Sequence, residues 1–405
     1  MKMIKTLTAV IALVIVLPAG NVSAHGERSL EPFIRMRTIQ WYDMAWSTTE
    51  VRVNDELTIS GRFHVAEDWP NNLARPDMAY LGVVSPGPVF VRKERAINGQ
   101  PHLTSVALRI GGDYEFKIVL KARRPGRYHI HPSFNLKDTG NVTGPGQWIT
   151  VTGSQADFTN PVKTLTGQTI DMEAYGTANG VGWHMFWMVL GVAWLVWWLR
   201  RPLWLPRHAM VQVGAEDELV TKTDRTIGKL ILIAVPVIVF GAYFYTQSKY
   251  PQTIPLQTAL DRIEPLPTTP AVVKARVERA SYRVVDRALT MTVHVVNEGA
   301  RPVQTGEFMT GSVRFLNPEL DIDHADYPEA YLAESGLQVG ADSTIQAGES
   351  KTITIVAADA AWETEHLGSV IRDVDSRFGG LLFFYNDEGR RYVTSVSGPM
   401  IPDFT

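Results

Sequence analysis

Apolar and polar residues alternate one for one in two stretches of the N-terminal third. Leu57, Ile59, Phe63 and Val65 interleave with Thr58, Ser60, Arg62 and His64; Tyr114, Phe116, Ile118 and Leu120 interleave with Glu115, Lys117 and Lys121. A period of two puts one set of side chains on a buried face, so both stretches predict half-buried strands. Turn signals at Asn54-Asp55, Gly111-Gly112-Asp113 and Pro125-Gly126 separate them. Together they predict a small antiparallel β-sandwich over residues 25–152. A second set of strand candidates lies at Ala271 to Val277, Ala288 to Val296, Gly311 to Leu316, Lys351 to Val356 and Leu381 to Tyr385. Turns at Asn297-Glu298-Gly299 and Asn386-Asp387-Glu388-Gly389 divide these, predicting a second sandwich over 271–405.

The pattern between the sandwiches is different. Residues 153–180 are polar and without periodicity, a connector. Residues 181–199 are almost wholly apolar, rich in Trp, and end at Arg200-Arg201-Pro202. As a helix they span roughly 28 Å, the thickness of a bilayer's hydrocarbon core. A second apolar run over 227–247 carries Lys229 near its start and Pro236 inside it, a proline that neighbouring helices accommodate in a membrane. The intervening loop, 200–226, and the start of the second run hold Arg200, Arg201, Arg207, Lys222, Arg225 and Lys229, which marks this side as cytoplasmic. Residues 248–270 are a Pro-rich linker. At the start of the chain, Lys2 and Lys5, an apolar core from Leu7 to Leu17 and Val22-Ser23-Ala24 form a signal peptide, expected to be removed after residue 24. The leader and the basic loop independently put both sandwiches on the exported side.

Composition narrows the chemistry. The 405 residues carry a net charge of −3 and no Lys/Arg-rich run, which argues against a nucleic-acid partner. Cysteine is absent, which excludes disulfides, a blue-copper centre, iron–sulfur clusters and thiolate zinc sites. Any metal must be held by nitrogen or oxygen. Two features supply nitrogen. Cleavage after Ala24 makes His25 the terminal residue, and a terminal amine with its own ring Nδ1 is a chelate suited to Cu(II). His129 and His131, two apart on a predicted strand, point to the same face. Three or four nitrogens without sulfur make a tetragonal copper site, whose ligands must be deprotonated to bind. Glu27 is expected to be a solvated acid beside Arg28. His64, His102, His184, His208, His294, His324 and His366 are isolated and are assigned no metal.

Several segments are recognisable. His25-Gly26-Glu27-Arg28-Ser29, the run Arg35 to Asp43, Gly87 to Arg92, Lys121 to Gly126, Leu165 to Thr169, Ser248 to Pro251 and Ser376 to Leu382 resemble the B subunit of the copper membrane monooxygenases, the family of particulate methane monooxygenase and ammonia monooxygenase. The resemblance covers essentially the whole mature chain. It implies a mainly β protein with membrane helices: two cupredoxin-like antiparallel β-sandwiches joined by a two-helix transmembrane hairpin, the first sandwich with copper and the second without. It implies His25, His129 and His131 as the copper ligands. It implies the A and C subunits as partners, a trimer of such heterotrimers in a bacterial inner or intracytoplasmic membrane, and insertion of one oxygen atom from O₂ into ammonia or methane. Oxygen activation has two places in this family, the copper of the B subunit or a site in the C subunit. Some methane-oxidising members hold a further copper on two histidines, one in the segment matching Arg37 to Asp43 and one matching His64. Here the first is Gln40, so that copper is expected to be absent or weak. The competing expectation is a non-catalytic membrane-anchored copper scaffold or chaperone. A histidine-brace polysaccharide oxygenase shares the N-terminal His but not the paired helices or the H-x-H pair.

Overall fold

The alternating stretches are strands. The computed structural model describes residues 31–405 apart from 165, 200–203, 251–260, 268–270, 326, 341–342, 365 and 374. The leader and His25 therefore lie outside the described residues. By its contacts the chain divides into two compact units, one built from residues up to 157 and from 258 onward, the other from 158–257.

The first unit contains two sandwiches. In the N-terminal one, one sheet is ordered β1 (Ile39–Trp46), β3 (Glu56–Val65), β6 (Asp113–Ala122), β5 (Phe90–Ile97), with Gln100–Pro101 at its edge. The other is ordered β4 (Ala79–Val84), β7 (Gly126–Leu136), β8 (Gln147–Thr152), β2 (Glu50–Arg52). Inward residues of both sheets meet in an aromatic core: Trp41 packs against Phe63, Phe116 and Phe134 with ring centroids 5.8, 5.1 and 5.4 Å away. Beyond β4 the second sheet continues through Val106–Ala107 to Asp261–Arg262. Part of the expected linker is thus a parallel edge strand of the N-terminal sandwich, and the Leu266 N–H donates to Asp113 O at 2.7 Å. An extended chain has unpaired backbone groups, and a sheet edge satisfies them.

The C-terminal sandwich stacks the order β13 (Ser350–Ala358), β10 (Ala288–Asn297), β9 (Val273–Arg283) against β12 (Val313–Leu316), β11 (Val303–Thr310), β14 (Arg377–Asn386), β15 (Arg391–Pro399). The sandwiches share a seam. Tyr42 of β1 clusters with Met309, Leu381 and Phe383, and Asp68 binds both Arg37 Nε at 3.1 Å and Arg377 Nε at 2.9 Å. A six-residue helix that the hydropathy pattern does not predict, α1 (Pro32–Arg37), inserts Met36 into the core of the C-terminal sandwich. Proline in its first turn suits a helix start, where an N–H has no intrahelical acceptor.

The second unit holds a short hairpin (Pro161–Lys163 with Thr169–Asp171) and three helices: α2 (Thr177–Leu199), α3 (Trp204–Gln212) and α4 (Lys222–Lys249). Helices α2 and α4 are long and apolar enough to cross a membrane, and their apolar side chains are exposed. Pro236 does not interrupt α4. A capping box of Thr221 and Asp224 starts α4, and Trp197 Nε1 of α2 donates to Asp224 Oδ1 at 2.9 Å, tying the two helices at the basic-loop end.

Candidate metal centre

Strand β7 buries Ile130 completely and turns the flanking residues to the opposite face. The imidazoles of His129 and His131 consequently stand side by side, ring centroids 4.5 Å apart and nearly perpendicular, with His131 Nε2 3.1 Å from His129 Nδ1. His131 Nδ1 lies 2.9 Å from Gly144 O. A carbonyl only accepts, so Nδ1 carries the proton and Nε2 presents its lone pair towards His129. Burial, helped by the neighbouring His129 and Arg35, pushes the His131 ring down to about 4 despite that carbonyl; burial also lowers His129. Both rings are neutral at pH 7, the state a metal requires.

The segment Gly144-Pro145-Gly146 closes over the pair. A Cβ on Gly146 would lie 2.4 Å from His131 Cε1 and 2.7 Å from His129 Cε1, and one on Gly144 would lie 2.9 Å from Trp41 Cδ2. Only glycine permits this approach of backbone to ring. Trp148, on β8 opposite His129, packs against that imidazole at 4.9 Å with the rings tilted by 40°, and carries the Arg127 guanidinium 4.7 Å above its ring. A cleft of about 450 Å³ opens at this point, walled by Arg127, His129, Gly146 and Trp148 of the first sandwich and by Pro328, Glu329 and Ala330 of the second.

These residues suit copper. Two lone-pair nitrogens about 2 Å from one ion and cis to each other stand roughly 3 Å apart, close to the spacing present here. The donors are nitrogen alone, and a carbonyl holds the outer ring nitrogen of His131 as ligand histidines generally require. Among the described residues no group of three or more His, Asp or Glu is arranged to hold a metal ion. The site as described is a pair, to which His25 would be added from outside the described residues. Strand spacing made the pair legible; the Gly-Pro-Gly strap, Trp148 and the wall from the second sandwich were not found, because each depends on chain crossings that spacing does not record.

His64 behaves in the opposite way. It pairs in register with Gln40, but Gln40 Nε2 donates to Met36 O at 2.9 Å. Both His64 nitrogens are occupied, Nδ1 by Asp113 Oδ1 at 3.0 Å and Nε2 by Glu67 Oε2 at 3.1 Å. Burial opposes its charge, yet the two carboxylates prevail and hold it up at about 9, while Glu67 is pulled down to about 2. This histidine is a cation locked between acids, with no free lone pair.

Comparison with known proteins follows the same lines. The family described as the B-subunit protein of monooxygenase matches residues 26–404. The chain is 49% identical over 387 residues to a protein of Methylococcus capsulatus (strain Bath) described as particulate methane monooxygenase alpha subunit, covering 95% of this chain and 94% of that one. A solved structure of the cupredoxin domain of amoB from Nitrosocaldus yellowstonii matches 29% of this chain and 89% of its own at 20% identity, with a TM-score of 0.24. Length, identity and the extent of the family match agree: this chain belongs to the monooxygenase B-subunit family.

Proposed function

We propose that this chain is the copper-holding subunit of a membrane-bound, O₂-dependent monooxygenase, with His25, His129 and His131 as the metal ligands and His25 contributing both amine and ring. The observation that carries this reading is the pair of neutral imidazoles whose nitrogens face each other at 3.1 Å beneath Gly146. Copper bound there would supply a redox-active Lewis acid. The chain's own residues prepare the place. Gly144 O fixes the tautomer of His131, burial keeps both rings neutral, and Trp148 limits rotation of His129. The overall reaction puts one oxygen atom into the substrate and releases the other as water, using two electrons from a donor outside this chain.

The A and C subunits, assembled with this chain as a trimer of heterotrimers, complete the enzyme in this proposal. The basic residues between α2 and α4 support a cytoplasmic loop, with both sandwiches on the periplasmic side of a bacterial inner or intracytoplasmic membrane. The substrate is ammonia or methane. The methane-named relative weighs towards methane, and Gln40 in place of a second copper-binding histidine weighs towards ammonia.

The test is purification of the intact complex from membranes, metal analysis, and oxidation assays with both substrates. The expected result is co-purification with two helical membrane subunits, copper that falls in His131→Ala, and oxidation of one substrate. A chain that purifies alone with copper identifies a scaffold or chaperone instead. A complex whose copper content is unchanged in both His129→Ala and His131→Ala refutes the ligand assignment.

A further inference from the structure

A cavity of about 420 Å³ opens beside β4 of the N-terminal sandwich. Among the described residues, β4 pairs along its length with β7 on one edge and only at Ala79, with Val106, on the other. Gly82 of β4 lies directly opposite Ser133 of β7, and opposed residues of an antiparallel pair share a face. A Cβ on Gly82 would stand 3.6 Å from Arg92 Nη1 and 3.8 Å from Ser133 Oγ. A guanidinium from β5 and a hydroxyl from β7 therefore come within 4 Å of one point above a glycine floor. Ser133 is 3% exposed and lines the cavity, yet among the described residues its hydroxyl has no hydrogen-bond partner. Buried hydroxyls are rarely left so, and this one faces open space.

The charges point the same way. Arg92 and Arg95 both lie against the Tyr80 ring, their guanidinium carbons 5.4 and 4.2 Å from its centroid. Arg95 is committed to backbone, donating to Leu81 O at 2.8 Å and to Leu103 O at 3.1 Å. Arg92 has no carboxylate within ion-pair distance among the described residues, and no described Asp or Glu lines the cavity. Phe90, Val84 and Leu120 make part of its wall apolar.

We propose that this cavity binds a small organic carboxylate, with its oxygens on the Arg92 guanidinium and the Ser133 hydroxyl and its hydrocarbon part against Phe90, Val84 and Leu120. The guanidinium fork matches a carboxylate with two parallel N–H donors. Phosphate is disfavoured, because it would press unsatisfied oxygens against the apolar wall. The volume is at the low end for small-molecule sites, enough for an acid of a few carbons. The assignment does not depend on where copper binds.

Equilibrium dialysis of radiolabelled butyrate against the intact complex tests it. Wild type and Arg92→Gln are compared, so that binding to other subunits cancels. Wild type is expected to bind about one butyrate per chain more than Arg92→Gln, saturating at about millimolar concentration. Ser133→Ala and Gly82→Ala are each expected to weaken binding roughly three- to tenfold. The methyl of Gly82→Ala meets nothing closer than 3.6 Å, so it intrudes on the ligand and not on the fold. Lys117→Gln, on the other sheet, is expected to bind as wild type does. Equal binding by wild type and Arg92→Gln overturns the proposal. So does full binding by both Ser133→Ala and Gly82→Ala, or displacement of butyrate by inorganic phosphate at equal concentration.

Discussion

Adding one methyl group at Gly146 is the most direct perturbation of the centre. In Gly146→Ala the new carbon would stand 2.4 Å from His131 Cε1, 2.6 Å from His131 Nδ1 and 2.7 Å from His129 Cε1. Ordinary carbon contacts are about 3.5 Å or more, so ring or strap must retreat by about 1 Å. The strap resists, because Gly144 already lies against Trp41 and Pro132 on its inner side. The ring then moves, and the His131 Nδ1 to Gly144 O bond stretches from 2.9 Å to beyond hydrogen-bonding range. That bond contributes about 1 kcal/mol and the overpacking costs about 1–2 kcal/mol more. A total of about 2–3 kcal/mol corresponds to copper affinity reduced by roughly 30- to 150-fold. Competition against a chelator of known affinity, on the intact complex, measures it. Gly82→Ala in the same sandwich is the control, since its new carbon meets nothing closer than 3.6 Å. Wild-type copper affinity in Gly146→Ala would refute the claim that the strap defines the metal position.

Three further outcomes are expected. An alanine retained before His25 converts the terminal amine to an amide, so copper titration of that complex should show one nitrogen fewer and at least a tenfold weaker site; equal affinity removes the chelating terminus. His64→Ala should lower the unfolding temperature most near pH 5–6.5. The raised histidine contributes stability that is complete below its unfolded value and fades as pH rises through about 9, whereas the lowered Glu67 loses its share as pH falls through about 2. The shared interaction, counted once, is worth about 3 kcal/mol, and a pH-independent difference between the two proteins contradicts it. Asp68→Ala leaves Arg37, whose side chain is 3% exposed, and Arg377 without their common carboxylate. Arg37 keeps Asp375 Oδ2 at 2.7 Å, so a loss of about 1–2 kcal/mol and faster proteolysis at the seam between the sandwiches are expected, and unchanged protease sensitivity would sink that role.

What the sequence disclosed follows from which forces are local. Period-two patterning located the strands around Leu57 and Tyr114 because burial of one sheet face is written at every second residue. The apolar runs located α2 and α4, but not their polar first turns: α2 begins at Thr177 and α4 at Lys222, the latter where the Thr221–Asp224 capping box rather than hydropathy sets the boundary. Helix α1 escaped because six residues show less than two turns of periodicity, and its Met36 is apolar for the sake of a core some 240 residues further along the chain. The strand formed by Asp261–Arg262 escaped for a related reason, since its partner is an edge far away in sequence. At the centre, H-x-H was legible because strand geometry alone makes those rings neighbours. Gly146 over the rings and the wall of Pro328, Glu329 and Ala330 were not, because they meet only after two sandwiches pack.

The two best-placed histidines of the first sandwich show how the fold assigns different tasks to one side chain. His64 and His131 are both largely buried, and desolvation alone would keep each neutral. Around His64 the fold puts two carboxylates, one at each nitrogen, which keep the ring cationic at neutral pH and tie β3 to β6 and to the Glu67 turn. Around His131 it puts a backbone carbonyl on one nitrogen, a second imidazole on the other and a guanidinium nearby, so the ring stays neutral with its lone pair directed at His129. Electrostatics thus separates a structural histidine from a ligand more sharply than spacing does. A carboxylate beside Nε2 of His131 would compete for the metal by favouring the proton, and a metal offered to His64 would first have to displace two acids. Exchanging those surroundings should exchange the roles.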